Sequence, residues 1–252
     1  MKKIILMAND LPGYEVAKHI INSGDTILRV YLHNNENLKY GDEIIKVSQC
    51  DDIFTADDLK NEEHVDSLKK LNADFIVTVF WAHLLKPNVI NSVKDTVNFH
   101  PALLPINRGW HPHVHSIIDG SPLGVTLHRI DEGIDTGAVW VQKEVHLSEF
   151  DTAKTIYHRL QNEIIDLFKN NWIKIKNGEI IPINQDETEA IYHSKFEINE
   201  MDVIDLSSNI SNESLIRKLR ARSFGNLGFA YYVENGKKVY LNIRLSDTHK
   251  FE

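Results

Sequence analysis

Lys3-Ile4-Ile5-Leu6-Met7-Ala8, a helical stretch over residues 14–23, and Thr26-Ile27-Leu28-Arg29-Val30-Tyr31-Leu32 form the run from which the fold is read. The first six residues read as a buried strand, and residues 9–13, Asn-Asp-Leu-Pro-Gly, as a turn. Val16, Ala17, Ile20 and Ile21 recur at helical spacing, and Gly24 ends the helix. Residues 26–32 read as the next strand. Strand, helix and strand make a βαβ unit, which starts a parallel sheet. The fold class is therefore α/β, Rossmann-like and mostly parallel. The turn after the first strand holds one glycine, so it lacks the Gly-x-Gly-x-x-Gly that lets a dinucleotide pyrophosphate approach a helix end. That excludes a nicotinamide enzyme.

Further along, residues 34–41 read as a polar loop, 44–47 as a short strand, 62–71 as a helix and 75–80 as a central strand. A helix is expected over residues 87–93 and a short one over 112–118. Strands follow at 124–128 and 138–146, and then a long helix at 152–176 with Ile156, Leu160, Ile164, Leu167 and Phe168 on one stripe. Residues 180–190 turn polar and acidic, and the domain boundary is placed there: residues 1–185 as one domain, 191–252 as a small C-terminal region. That region offers a helix from about Ser211 carrying Arg217, Lys218, Arg220 and Arg222. It then offers a β-hairpin over residues 229–243, whose Asn235-Gly236 suits a type I′ turn.

Between the central strand and the long helix lies Thr96-Val97-Asn98-Phe99-His100-Pro101. Pro101 has no N–H to give a ladder and stops the strand. Alternation puts Asn98 and His100 on one face and Phe99 on the other. An amide donor and a titratable imidazole thus stand together at a strand end, where ligands bind in open α/β sheets. Gly133-Ile134-Asp135-Thr136-Gly137, a glycine-flanked turn, supplies a carboxylate.

Composition sets the outer bounds. The 252 residues are 42% hydrophobic and 25% charged, ordinary for a globular chain with a real core. A formal net charge of -8 argues against a broad nucleic-acid surface. The single cysteine, Cys50, precludes an internal disulfide and fits a cytoplasmic setting; beside Asp51 and Asp52 it reads as an inert thiol. No run approaches the roughly 20 apolar residues of a membrane helix. His111, His113 and His115 alternate, but with Pro112 opening a helix they share no face, so they read as polar histidines around a substrate mouth, with no metal.

Asn98-Phe99-His100-Pro101, Leu103-Leu104-Pro105, Arg108-Gly109 and Gly133-Ile134-Asp135-Thr136-Gly137 together resemble the folate-dependent formyltransferases, most strongly over residues 75–145. That family moves a formyl group from N10-formyltetrahydrofolate, a cosubstrate, to an amine. The resemblance implies a catalytic trio of Asn98, His100 and Asp135. In that chemistry an imidazole near neutrality shuttles the proton, an amide donates to the developing oxyanion, and a carboxylate favours the imidazolium. It also implies a pterin site around Phe80, Trp81 and Leu84, closed by Asp131 and Gly133, and places Arg108 and Trp110 at the substrate; the basic run from Arg217 to Arg222 reads either as a solvated helix face or, through Arg217, as a hold on substrate phosphates. The glycinamide ribonucleotide enzymes carry a Gly-Ser-rich loop after the first strand, which is missing here, although such an enzyme is kept as an alternative. So is a non-catalytic protein that binds folate or a sugar nucleotide. Methionyl-tRNA formyltransferases need a long C-terminal barrel, and about 60 residues follow Ala190. The expectation is a nucleotide-sugar N-formyltransferase, acting on a dTDP-4-amino-4,6-dideoxyhexose for surface polysaccharide and homodimeric through the hairpin.

Overall fold

In the computed structural model, which describes residues 1–248, the chain begins β1 (Lys3–Ala8), α1 (Asp10–Asn22), β2 (Thr26–Leu32), α2 (Gly41–Ser48) and β3 (Ile53–Thr55). It continues α3 (Glu62–Leu71), β4 (Phe75–Val79), α4 (Pro87–Ile90), β5 (Asp95–His100), β6 (Arg108–Gly109) and α5 (Pro112–Asp119). Next come β7 (Gly124–His128), β8 (Val139–Glu144), α6 (Ala153–Lys176), β9 (Tyr192–His193), α7 (Glu197–Met201) and α8 (Asn212–Ala221). The last strands are β10 (Ser223–Phe224), β11 (Leu227–Gly228), β12 (Tyr231–Glu234) and β13 (Lys237–Tyr240).

A seven-stranded sheet runs in the order β3-β2-β1-β4-β5-β7-β8. Its pairs from β3 through β5 are parallel, and β7 and β8 add antiparallel. The chain winds outward from β1 to β3, then returns to the other side of β1 for β4. The crevice at such a switch point lies at the C-terminal ends of the strands. Both faces are covered. Ile4, Leu6, Val77, Val97 and Phe99 pack with Val16 and Ile20 of α1 and Leu160, Ile164 and Phe168 of α6. Ile5, Met7, Tyr31 and Ile76 pack with Val65 and Leu68 of α3 and Val89 of α4. Burial on both faces is why β1 is apolar without alternation.

Three local expectations are corrected. Residues 10–13 are the first turn of α1, not a loop. Pro12 is tolerated because first-turn N–H groups have no intrahelical partner, and the Asp10 carboxylate accepts from the Leu11 N–H at 2.8 Å. Residues 44–47 belong to α2, not to a strand; Gly41, Ile44 and Ser48 are its buried positions, at helical spacing, and Asp42 and Glu43 suit its N-terminal turn. The edge strand falls later, at β3, which pairs Val30, Tyr31 and Leu32 with Ile53, Phe54 and Thr55. The helix expected over 87–93 is a single turn, α4.

Residues 180–190 lie against the sheet. Ile183 bridges Val139, and Gln185 and Glu187 reach Arg108. Beyond them Ala221 of α8 packs with Val114 and Ile117 of α5. Three of the basic side chains on α8 and at its C-cap are bonded within the chain. Arg220 donates to the Asp151 and Ser148 carbonyls, Arg222 pairs with Asp202, and Lys218 donates to the Val203 carbonyl. In the hairpin Glu234 stands opposite Lys237, leaving Asn235 and Gly236 as a two-residue turn with φ of 50° and 73°. That is the type I′ geometry. Among the described residues, no helix is long and apolar enough to cross a membrane.

Candidate active site

Strand register assembles the first half of the site. Asn98 on β5 stands beside Thr78 on β4 and opposite His128 on β7. The Thr78 hydroxyl donates to Asn98 Oδ1 at 2.5 Å, and Asn98 Nδ2 lies 2.9 Å from His128 Nε2. His128 Nδ1 lies 2.6 Å from the Arg129 carbonyl. A carbonyl only accepts, so Nδ1 carries the proton and Nε2 offers a lone pair to the amide. Asn98 is thereby fixed in orientation, with one amide N–H spent on His128 and the second left for a ligand.

His100, two residues on, is 5% exposed. Its Nε2 lies 2.9 Å from the Asn107 carbonyl, so by the same argument Nε2 is protonated and Nδ1 bears the lone pair. Nδ1 sits 3.4 Å from Asp135 Oδ2, long for a hydrogen bond. Asp135 Oδ1 lies 3.5 Å from His128 Nε2, and Oδ2 accepts from the Gly109 N–H at 2.9 Å. Burial pushes the His100 imidazole below its ordinary value, against the pull of Asp135. Burial acts upward on the Asp135 carboxyl, but the attraction of His100 and His128 in their protonated forms, with the Gly109 N–H, outweighs it and holds the group well below the usual carboxylate range. The site therefore holds an ionised carboxylate beside an imidazole lone pair and an oriented amide.

The Asp135 turn is strapped from outside. Asp135 has a φ of 54°, in the left-handed region, and its carbonyl and that of Gly137 each accept from Gln185 Nε2 at 2.8 Å. Gln185 Oε1 in turn accepts from Arg108 Nε and Nη2, and Arg108 also grips Glu187 through Nη1 and Nη2. Expected at the substrate, Arg108 is 5% exposed, with its guanidinium bonded to residues 185 and 187. Gly109 is required where it stands: its φ is 88°, and a Cβ there would lie 2.3 Å from the His193 carbonyl oxygen.

The contacts of the other expected residues are with groups outside the trio. Phe80 and Trp81 follow β4; Phe80 packs edge-on against Tyr157, and Trp81 against His33 and His83. Leu84 is 77% exposed in the same loop. Asp131 Oδ1 accepts from the Gly133 N–H and the Thr136 hydroxyl, closing the exposed turn before Asp135. Trp110 lies under the Lys195 ammonium, and Arg217 is bonded to Glu213 one turn back on α8. His113 and His115 are buried between α5 and its neighbours, not at a mouth. Burial, then the charges of His111 and Arg222, push His113 down to about 3; burial, then His193, take His115 to about 4. His115, His193 and Glu197 do come within ligand distance of one another. The two rings are parallel, however, with centroids 3.4 Å apart, so their in-plane lone pairs run side by side instead of converging on one ion. Both nitrogens of His193 are also already bonded.

Sequence reasoning gave no role to Thr78, Asn107, His128 or Gln185. The first and third are set by strand register, which periodicity does not reveal, and the fourth sits in what reads as a linker.

Comparison with known proteins supplies the family. The formyl transferase family profile matches residues 22–168, and the N-formyltransferase dimerization C-terminal domain profile matches residues 197–247. The chain is 31% identical over 150 residues to a dTDP-4-amino-4,6-dideoxyglucose formyltransferase from Mycobacterium tuberculosis, covering 59% of this chain and 64% of that one. It is 32% identical over 175 residues to a methionyl-tRNA formyltransferase from Ehrlichia ruminantium, covering 67% of this chain and 54% of that one. Each of these matches thus spans less than two thirds of the relative's length. A crystal structure of a 4-N formyltransferase from Francisella tularensis superimposes with a TM-score of 0.86 at 28% identity, covering 98% of this chain and 99% of that one.

Proposed function

The chain belongs to the formyl transferase family, and on that premise we propose that it moves the formyl group of N10-formyltetrahydrofolate to the amino group of a nucleotide-linked amino sugar. A dTDP-4-amino-4,6-dideoxyhexose destined for surface polysaccharide, handled in the cytoplasm, is the substrate of first choice. The observation that carries the reading is the convergence of the Asn98 amide, the His100 Nδ1 lone pair and the Asp135 carboxylate at the end of β5. The likeness to the dTDP-4-amino-4,6-dideoxyglucose formyltransferase supports the sugar class.

In this reading the neutral amine attacks the formyl carbon, and the new C–N bond turns the formyl oxygen into an oxyanion. The second N–H of Asn98 donates to that oxygen. His100 Nδ1 takes the proton from the attacking nitrogen as Asp135 steadies the imidazolium. His100 then returns the proton to N10 as the C–N10 bond breaks, and tetrahydrofolate and the formamide leave. Phe80, Trp81, Leu84, Asp131 and Gly133 border the folate, and Trp110 and Arg217 the sugar nucleotide. Residues 1–185 carry the chemistry, and residues 191–252 form a homodimer, a division supported by the dimerization profile over 197–247.

The test is to offer N10-formyltetrahydrofolate with dTDP-, UDP- and GDP-linked amino sugars and with glycinamide ribonucleotide, reading the gain of one formyl group by mass spectrometry. Transfer to a dTDP-amino sugar supports the proposal. Transfer to glycinamide ribonucleotide alone, or binding of folate without turnover, overturns it.

A further inference from the structure

Asn107 is fully buried and has a φ of 59°. Its backbone carbonyl sets the proton on His100, and the N–H of Gly109, two residues on, holds Asp135. One short segment, residues 107–109, therefore fixes both members of the acid–base pair. That segment is clamped from the C-terminal region. β6 pairs with β9 in parallel, Arg108 beside Tyr192 and Gly109 beside His193. The Arg108 N–H donates to the Ile191 carbonyl at 2.8 Å and the Trp110 N–H to the His193 carbonyl at 3.0 Å.

The side chain of His193 completes the clamp. Its Nε2 lies 3.0 Å from Asn107 Oδ1, and its Nδ1 lies 2.8 Å from Glu197 Oε2. Asn107 Nδ2 donates to the Ser116 and Ser121 hydroxyls at 2.9 and 3.0 Å, which leaves Oδ1 as the atom facing His193. The ring is stacked flat on His115, so it has little freedom to turn. Glu197, which begins α7, also accepts from the Ser194 N–H at 2.6 Å.

We propose that His193, backed by Glu197, is a positioning residue for His100: it locks Asn107, and through Asn107 the tautomer of His100 and its separation from Asp135. The proposal rests on the reading of His100 as the proton shuttle. It gives the C-terminal region a part in the chemistry as well as in assembly, because residues 191–197 hold the backbone on which the acid–base pair depends.

The experiment uses the full chain with N10-formyltetrahydrofolate and the accepted amino sugar. His193→Ala is expected to lower kcat by about tenfold to a hundredfold, the scale of a small misplacement at a reacting centre, with both KM values within about twofold. His193→Gln, whose amide can still donate to Asn107 Oδ1, is expected to recover most of that loss. Imidazole 15N spectra, assigned by comparison with His100→Gln, are expected to show the Nε2–H tautomer of His100 in the wild type and an averaged tautomer in His193→Ala. If His193→Ala fails to fold, Asn107→Gly, which keeps the left-handed backbone and removes the anchored side chain, carries the same expectations. An unchanged kcat, a loss carried by KM alone, or an unaltered His100 spectrum overturns the proposal. If the wild type transfers no formyl group, the function proposed above fails, and the tautomer of His100 still decides this one.

Discussion

Asp135→Asn removes one charge from the site and little else. The amide oxygen can still accept from the Gly109 N–H, so the turn held by Gln185 should persist. What disappears is the attraction between the carboxylate and the imidazolium that His100 becomes as it takes the proton. At the observed 3.4 Å, unit charges in an effective dielectric near 20 attract by about 5 kcal/mol. If half the proton has moved in the transition state, about 2.5 kcal/mol is lost, and if all of it has, the full amount. The expected fall in kcat therefore runs from about 50-fold to a few thousandfold. Because Asp135 borders the reacting proton and not the bound ground state, KM for either substrate should change little. The assay is steady-state formyl transfer, with circular dichroism and a melting curve confirming that the variant is folded. A folded variant whose kcat stays within about fivefold of wild type, or whose defect is confined to KM, refutes the role of the Asp135 charge.

Three further outcomes follow from named contacts. Asn98→Ala should lower kcat by about 10²- to 10³-fold with KM nearly unchanged, because an oxyanion contact is made mainly in the transition state; a pure KM effect would show that the amide binds the ground state. Stability should fall in mild acid. His113, taken down to about 3 mainly by burial, stays neutral in the folded chain while the unfolded chain protonates near 6.5. Its contribution is thus complete above pH 6.5 and is lost as pH falls toward 3, about 2 kcal/mol of it by pH 5. Denaturant midpoints at pH 7.5 and 5 measure the loss, and a His113→Phe variant with an equally steep pH dependence would assign it elsewhere. Val233 and Tyr240 are 58% and 59% exposed on the hairpin. The double variant Val233→Glu, Tyr240→Glu should sediment as a monomer at micromolar concentration, and a dimer of unchanged affinity would place the interface on another surface.

Much of the architecture was legible along the chain. A strand buried on both faces must be apolar at every position, so β1 announces a parallel sheet through Ile4, Ile5, Leu6 and Met7 alone. The 24 residues of α6 carry their apolar stripe in full, and Asn235-Gly236 names its own turn because few other pairs accept two positive φ values. Where local signals were short, they misled: the Ile44-Ile45-Val47 pattern serves a one-sided helix as well as a strand, and only packing, chiefly against α1, decides between them. Asn98, His100 and Asp135 could be named from residue type, spacing and family resemblance. The groups that orient them could not. His128 meets Asn98 because β7 pairs antiparallel with β5 in one register, and a one-residue slip would have turned it to the other face. Gln185 and His193 reach the site across 50 and 86 residues, from Asp135 and Asn107 respectively, by hydrogen bonds that carry no periodicity. Local sequence dictates which backbone conformations are cheap. Which tautomer His100 holds and how far it stands from Asp135 depend on long-range pairing, and those were decided by the tertiary structure alone.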